Sequence, residues 1–90
     1  MKFPVGLVFI TQGVQKAMRE DDFRSFIYRS LSRHADGDWG DLSEIDKKIN
    51  ERALKSGGRL LSAYKYNKKK IWIITEGNRA KTTILFPSEY

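Results

Sequence analysis

Four cations and one indole in the last third of this 90-residue chain have the types and spacing to hold an anionic partner. Lys65, Lys70, Arg79 and Lys81 fall at alternate positions of three β-rich segments, and Trp72 falls on the same side of the middle one. Ammonium and guanidinium groups neutralise phosphates and a flat ring offers a stacking surface, the two elements of sequence-tolerant nucleic-acid binding. The same set suits docking onto an acidic protein patch, where an aromatic anchor ringed by charge forms a hot spot. A third reading is structural, with Trp72 packed beneath the N-terminal segment and the lysines guarding a sheet edge. All three readings remain open at the level of sequence.

Other residues carry less. Trp39 lies in the loop Ala35 to Gly40; exposed, it would anchor a partner, and buried, it would pin the loop. His34 is the only histidine and closes a helical pattern, where the helix dipole favours a cation, so a capping role is expected rather than catalysis. No glycine pattern of a nucleophile elbow accompanies it. Asp36, Asp38, Asp41 and Glu44 miss the calcium-loop spacing, so no metal is expected. Without a phosphate-binding glycine loop or a paired-carboxylate arrangement, no cofactor is expected and a binding role outranks an enzymatic one.

The elements that must position these residues can be read from composition and periodicity. The chain carries 17 Lys plus Arg against 11 Asp plus Glu, a net charge of +6, and no cysteine. Residues 1 to 35 hold 6 basic and 3 acidic groups, residues 36 to 51 hold 2 and 6, and residues 52 to 90 hold 9 and 2, giving +3, −4 and +7. An acidic middle followed by a basic last third favours an anionic partner at one end. Lack of cysteine removes disulfides, thiol nucleophiles and cysteine zinc sites, and fits a reducing compartment. The apolar run from Val5 to Ile10 is too short for a membrane span of roughly 20 residues, so a cytoplasmic protein with no membrane contact is expected. A chain of this length forms one domain, here residues 1 to 90, around one small core.

Lys2 to Thr11 reads as a strand apolar enough to be central or covered on both faces. Gln12 to Arg19 reads as a short helix, and Asp21 or Asp22 can cap a longer one with Phe23, Phe26, Ile27 and Leu31 inward. A further helix follows Asp41 or Ser43, with Leu42, Ile45, Ile49 and Ala53 as its apolar stripe, and stops at Gly57 and Gly58. Arg59 to Tyr66, Lys69 to Glu76 and Arg79 to Phe86 then form an antiparallel meander, joined by two-residue turns at Asn67-Lys68 and Gly77-Asn78. The expected class is α+β: an N-terminal strand, two or three helices, then a three-stranded meander, with the helices on one face of the sheet. In that register Leu60, Ser62, Tyr64, Ile71, Ile73, Thr75, Thr82, Ile84 and Phe86 share the core face, and Lys65, Lys70, Trp72, Arg79 and Lys81 share the other.

The segment from about Asp36 to Tyr90 resembles a family of short, mostly uncharacterised plasmid-related proteins of mobile genetic elements. The likeness rests on Gly37-Asp38-Trp39-Gly40-Asp41-Leu42, Arg59-Leu60-Leu61-Ser62-Ala63-Tyr64, Ile71-Trp72-Ile73-Ile74-Thr75-Glu76, Thr82-Thr83 and Leu85-Phe86-Pro87-Ser88-Glu89-Tyr90. It implies a context in phage or plasmid biology, where small proteins act on host defence, replication or partition and include inhibitors of CRISPR effectors. The order strand, helices, meander is also similar to that of RelE-type ribonuclease toxins; by that analogy Lys65, Lys70, Arg79, Lys81 and Tyr90 would hold and cleave RNA. The resulting expectation is a non-enzymatic inhibitor that docks a basic and aromatic surface, with Trp39 and Trp72 as anchors, onto a host protein or ribonucleoprotein complex. A ribonuclease toxin and a simple RNA- or DNA-binding accessory protein are the alternatives, and oligomeric state is left open.

Overall fold

The computed structural model describes residues 1–90 and has the α+β class expected. Strand β1 (Leu7–Ile10) is followed by helices α1 (Gln12–Ala17), α2 (Asp21–Ala35) and α3 (Glu44–Ser56). Strands β2 (Leu60–Tyr66), β3 (Lys69–Thr75) and β4 (Lys81–Leu85) complete a four-stranded sheet, and a 3-10 turn spans Pro87–Glu89. The sheet order is β1-β4-β3-β2, so the meander gains a fourth member, β1, parallel to β4. No helix is long and apolar enough to cross a membrane.

The hairpin β2–β3 follows the expected register, with Tyr66 opposite Lys69 and Asn67 taking the left-handed conformation of a tight turn (φ 55°). The second connection departs from it. Thr75 pairs with Thr82, and the Glu76 N–H donates to the Lys81 carbonyl, so Gly77 to Ala80 form a four-residue loop in place of the two-residue turn. The slip equals two residues, and a shift of two preserves which face each side chain occupies.

On one face α1 and α2 cover Tyr64, Ile71, Ile73 and Ile84 with Val14, Met18, Phe23, Phe26 and Ile27. A second cluster joins Phe3, Trp39, Ala53 and Leu60. The Ser43 hydroxyl caps α3 by accepting from the Asp46 N–H at 3.1 Å, and Gly57 ends it at φ 83°. Only part of the apolar stripe expected for α3 faces the core: Ala53 is buried and Leu42 packs against its cluster, but Ile45 and Ile49 are exposed and Asn50 is buried in their stead. The helix is turned so that the Asn50 amide donates to the Leu61 carbonyl at 2.7 Å and accepts from the Leu61 N–H at 3.1 Å. Those groups belong to the outer edge of β2, where each would cost about 1–3 kcal/mol if enclosed without a partner, which offsets the exposure of the two isoleucines. The same edge is closed further along, where Asp41 N–H donates to the Ala63 carbonyl and Ala63 N–H to the Trp39 carbonyl. Gly40 is required between them, because a Cβ there would lie 2.0 Å from the Ala63 oxygen.

The N-terminal strand is shorter and more exposed than its apolar character suggests. Pro4 has no N–H to donate, and Gly6, at φ 65°, presses against the Ala80 carbonyl, so pairing starts only at Leu7. Lying at the sheet edge, β1 leaves Leu7 70%, Val8 40% and Phe9 50% exposed.

Candidate functional site

The 3-10 turn packs against β3, and Ala63, Ile74 and Leu85 are buried although they point away from α1 and α2, on the opposite face. On it Ala63, Trp72 and Leu85 stand in one cross-strand row, and Lys65 stands directly opposite Lys70 two residues away. Both lysines are exposed and neither enters an ion pair. Like charges directly opposite on one face repel and destabilise the pair. Trp72 is half-buried between them and the C-terminal turn. Lys81 lies on the same face at the far end of β4, four residues from Leu85 and therefore about 13 Å from the Trp72 row. Its ammonium group sits 5.7 Å from the Phe9 ring centroid.

Arg59 and Tyr90 complete this surface, and sequence reading missed Arg59 here. The Arg59 guanidinium donates to the Tyr90 hydroxyl at 3.0 Å and lies 5.7 Å from its ring centroid. The Tyr90 ring meets Trp72 edge-on, with centroids 5.7 Å apart at 76°. Tyr90 is brought there by its neighbour: Glu89 accepts from Thr11 Oγ1 at 2.6 Å, from Gly13 N–H at 3.0 Å and from Phe86 N–H at 3.0 Å. The hydrogen bond from Thr11, with that from Phe86, holds the Glu89 carboxyl below its usual range. The Ser-Glu-Tyr ending was the available signal, but a tail beyond the last strand has no periodicity to orient it.

Two of the expected binding residues are not free. Trp39 is 4% exposed; its ring stacks on Phe3, and its Nε1–H donates to Glu51 at 2.6 Å. It pins the loop to α3 and the N-terminal segment, so it is no docking anchor. Arg79 sits in the β3–β4 loop at φ 62°, outside the strand. Its guanidinium donates to the carbonyls of Gly58 at 2.6 Å, Ala53 at 3.0 Å, Glu76 at 3.1 Å and Gly77 at 3.2 Å. It caps the end of α3 from across the molecule, and those bonds leave little of its fork for an external anion.

His34 is likewise a core residue and not a helix cap. It is fully buried, with Nδ1 2.5 Å from Ser62 Oγ and Nε2 2.8 Å from Thr75 Oγ1. Thr82 Oγ1 donates its only proton to the Val5 carbonyl at 2.7 Å, so Thr75 must donate to Thr82, also at 2.7 Å. Thr75 then has only a lone pair to offer, which requires His34 to carry its proton on Nε2 and to accept the Ser62 hydroxyl on Nδ1. Burial, reinforced by the positive charge of Arg79, lowers the His34 pKa to about 4, in keeping with that neutral ring. With the ring and Ser62 both inaccessible, the pair has no route to a substrate. No group of three or more His, Asp or Glu side chains is placed to hold a metal.

No protein-family model, no curated protein and no solved structure matches this chain.

Proposed function

We propose that the protein is a non-enzymatic binding protein that docks the sheet face opposite α1 and α2 onto an anionic surface of a host nucleoprotein complex. The setting suggested by its sequence is a mobile genetic element, and the action is inhibition of a defence complex by occupying a working surface. The observation that carries this reading is the exposed, uncompensated Lys65–Lys70 pair beside a partly buried Trp72. Such a pair reduces the stability of the hairpin and gains when an anion lies across it. The ribonuclease alternative is weaker: its five residues do not converge, since Arg79 is bonded to internal carbonyls and Lys81 is about 13 Å from the Trp72 row.

The test is affinity capture from a lysate of a bacterial host, with the wild-type chain and with a Lys65→Glu, Lys81→Glu variant as baits. A nucleoprotein complex retained by the wild type, lost at least tenfold by the variant and released by rising salt is the expected outcome. Capture indifferent to both the charges and salt would overturn the reading. Growth arrest on expression, relieved by Lys81→Ala, would replace it with the toxin.

A further inference from the structure

Beside Trp72 the open face turns into a groove of about 550 Å³, walled on one side by the loop before α3 and its first turns, and on the other by β2 and β3. The two walls carry opposite charge. Asp41 and Asp46 stand on the helix side, Arg59 and Lys70 on the sheet side, and no ion pair joins one wall to the other. The floor is apolar, formed by Ile49, Leu61 and Trp72, and Ile45 continues it along the exposed side of α3 one turn from Ile49.

We propose that this groove receives a segment of a protein partner in which a large apolar side chain is flanked by a basic residue and an acidic residue. The inference rests on the docking reading above and names the chemistry of the partner at that face. Opposite charges held apart across a cleft have no counter-charge in contact, and a ligand carrying the complementary pair satisfies both walls at once. The exposed Ile49, 50% accessible, and the half-buried Trp72 are covered by the apolar side chain between them. A nucleic-acid strand satisfies only the sheet wall, because its phosphates would face Asp41 and Asp46. The volume lies in the range of well-formed ligand pockets, enough for a few side chains.

The experiment selects from a display library of random 12-residue peptides on the immobilised full chain, with a 20-residue oligothymidylate as competitor. Enriched peptides should carry an aromatic or leucine side chain between one cation and one carboxylate, lose at least tenfold in binding to Ile49→Asp, and resist the oligonucleotide. Asp46→Lys should exchange the selected cation for a carboxylate. Both residues are exposed, and unchanged thermal unfolding of the variants verifies the fold. Absence of enrichment, a selected composition indifferent to Asp46→Lys, or displacement by the oligonucleotide would overturn the proposal, the last reassigning the groove to nucleic acid. Lys65 and Lys81 lie outside the groove, which separates the two readings. If capture of the host complex depends on them but not on Ile49 or Asp46, docking stands and the groove proposal falls; if it depends on none of these, both fall.

Discussion

The two faces of the sheet treat polar groups in opposite ways. On the covered face Ser62, Thr75, Thr82 and His34 are fully buried, and every hydrogen-bonding atom among them has an internal partner. On the open face Lys65, Lys70 and Lys81 form no ion pair, and two of them oppose each other. A polar group enclosed in the fold must be satisfied by the fold, whereas one left unsatisfied at the surface is available to something outside it. The covered face therefore stores stability, and the open face sacrifices a little of it.

Substitutions on the two sides should differ in kind. The largest effect is expected for His34→Ala, which leaves the Ser62 hydroxyl without its acceptor and Thr75 Oγ1 without its donor in a new cavity and costs roughly 3 kcal/mol in denaturant unfolding. A loss below about 1 kcal/mol would show that the chain of hydroxyls is dispensable. The same residue sets a pH dependence of similar size. The unfolded chain protonates His34 near 6.5 and the folded one only near 4, so the unfolded state binds more protons between these values. Stability should be full above pH 6.5 and fall by about 3 kcal/mol as pH drops to 4, and the histidine's share of that fall should vanish in His34→Ala.

On the open side Trp72→Ala should cost about 2 kcal/mol, less than a fully buried indole, while abolishing partner capture; unfolding of this variant would make the indole a core residue and erase the distinction between the faces. The smallest change in stability is the most discriminating. Lys70→Glu converts the repulsive cross-strand pair into an attractive one and should stabilise the protein by about 0.5 kcal/mol while weakening binding. A variant that loses both stability and binding would mean that Lys70 serves the fold.

Much of this architecture was legible in the residues. Ser43 and Gly57 bracket α3, Asn67 marks the first hairpin, and alternation along the three meander strands separates Ile71 and Ile73 from Lys70 and Trp72. The failures occurred where a distant contact outweighed a local pattern. Helical periodicity favours Ile45 and Ile49 for the core, but the unpaired Leu61 backbone recruits Asn50 and rotates the helix. Strand alternation extends β4 back to Arg79, but the carbonyls of Ala53 and Gly58 draw its guanidinium into a loop. A histidine at a helix end reads as a cap until the facing strands supply Ser62 and Thr75. Within the site, Lys65, Lys70 and Trp72 came from periodicity alone; Arg59 and Tyr90 depended on a tail folded back by Glu89, which only the three-dimensional structure reveals.

Parallel pairing of β1 with β4 also sets the order in which the molecule can assemble. The hairpin β2–β3 closes through two residues, whereas Val5 and Thr11 reach partners 77 and 78 positions away. Closing so long a loop is entropically late, so the hairpin and its helices form before the N-terminal strand docks. Until it does, β4 is a bare edge of threonine, isoleucine and leucine, open to proteases and to other nascent chains.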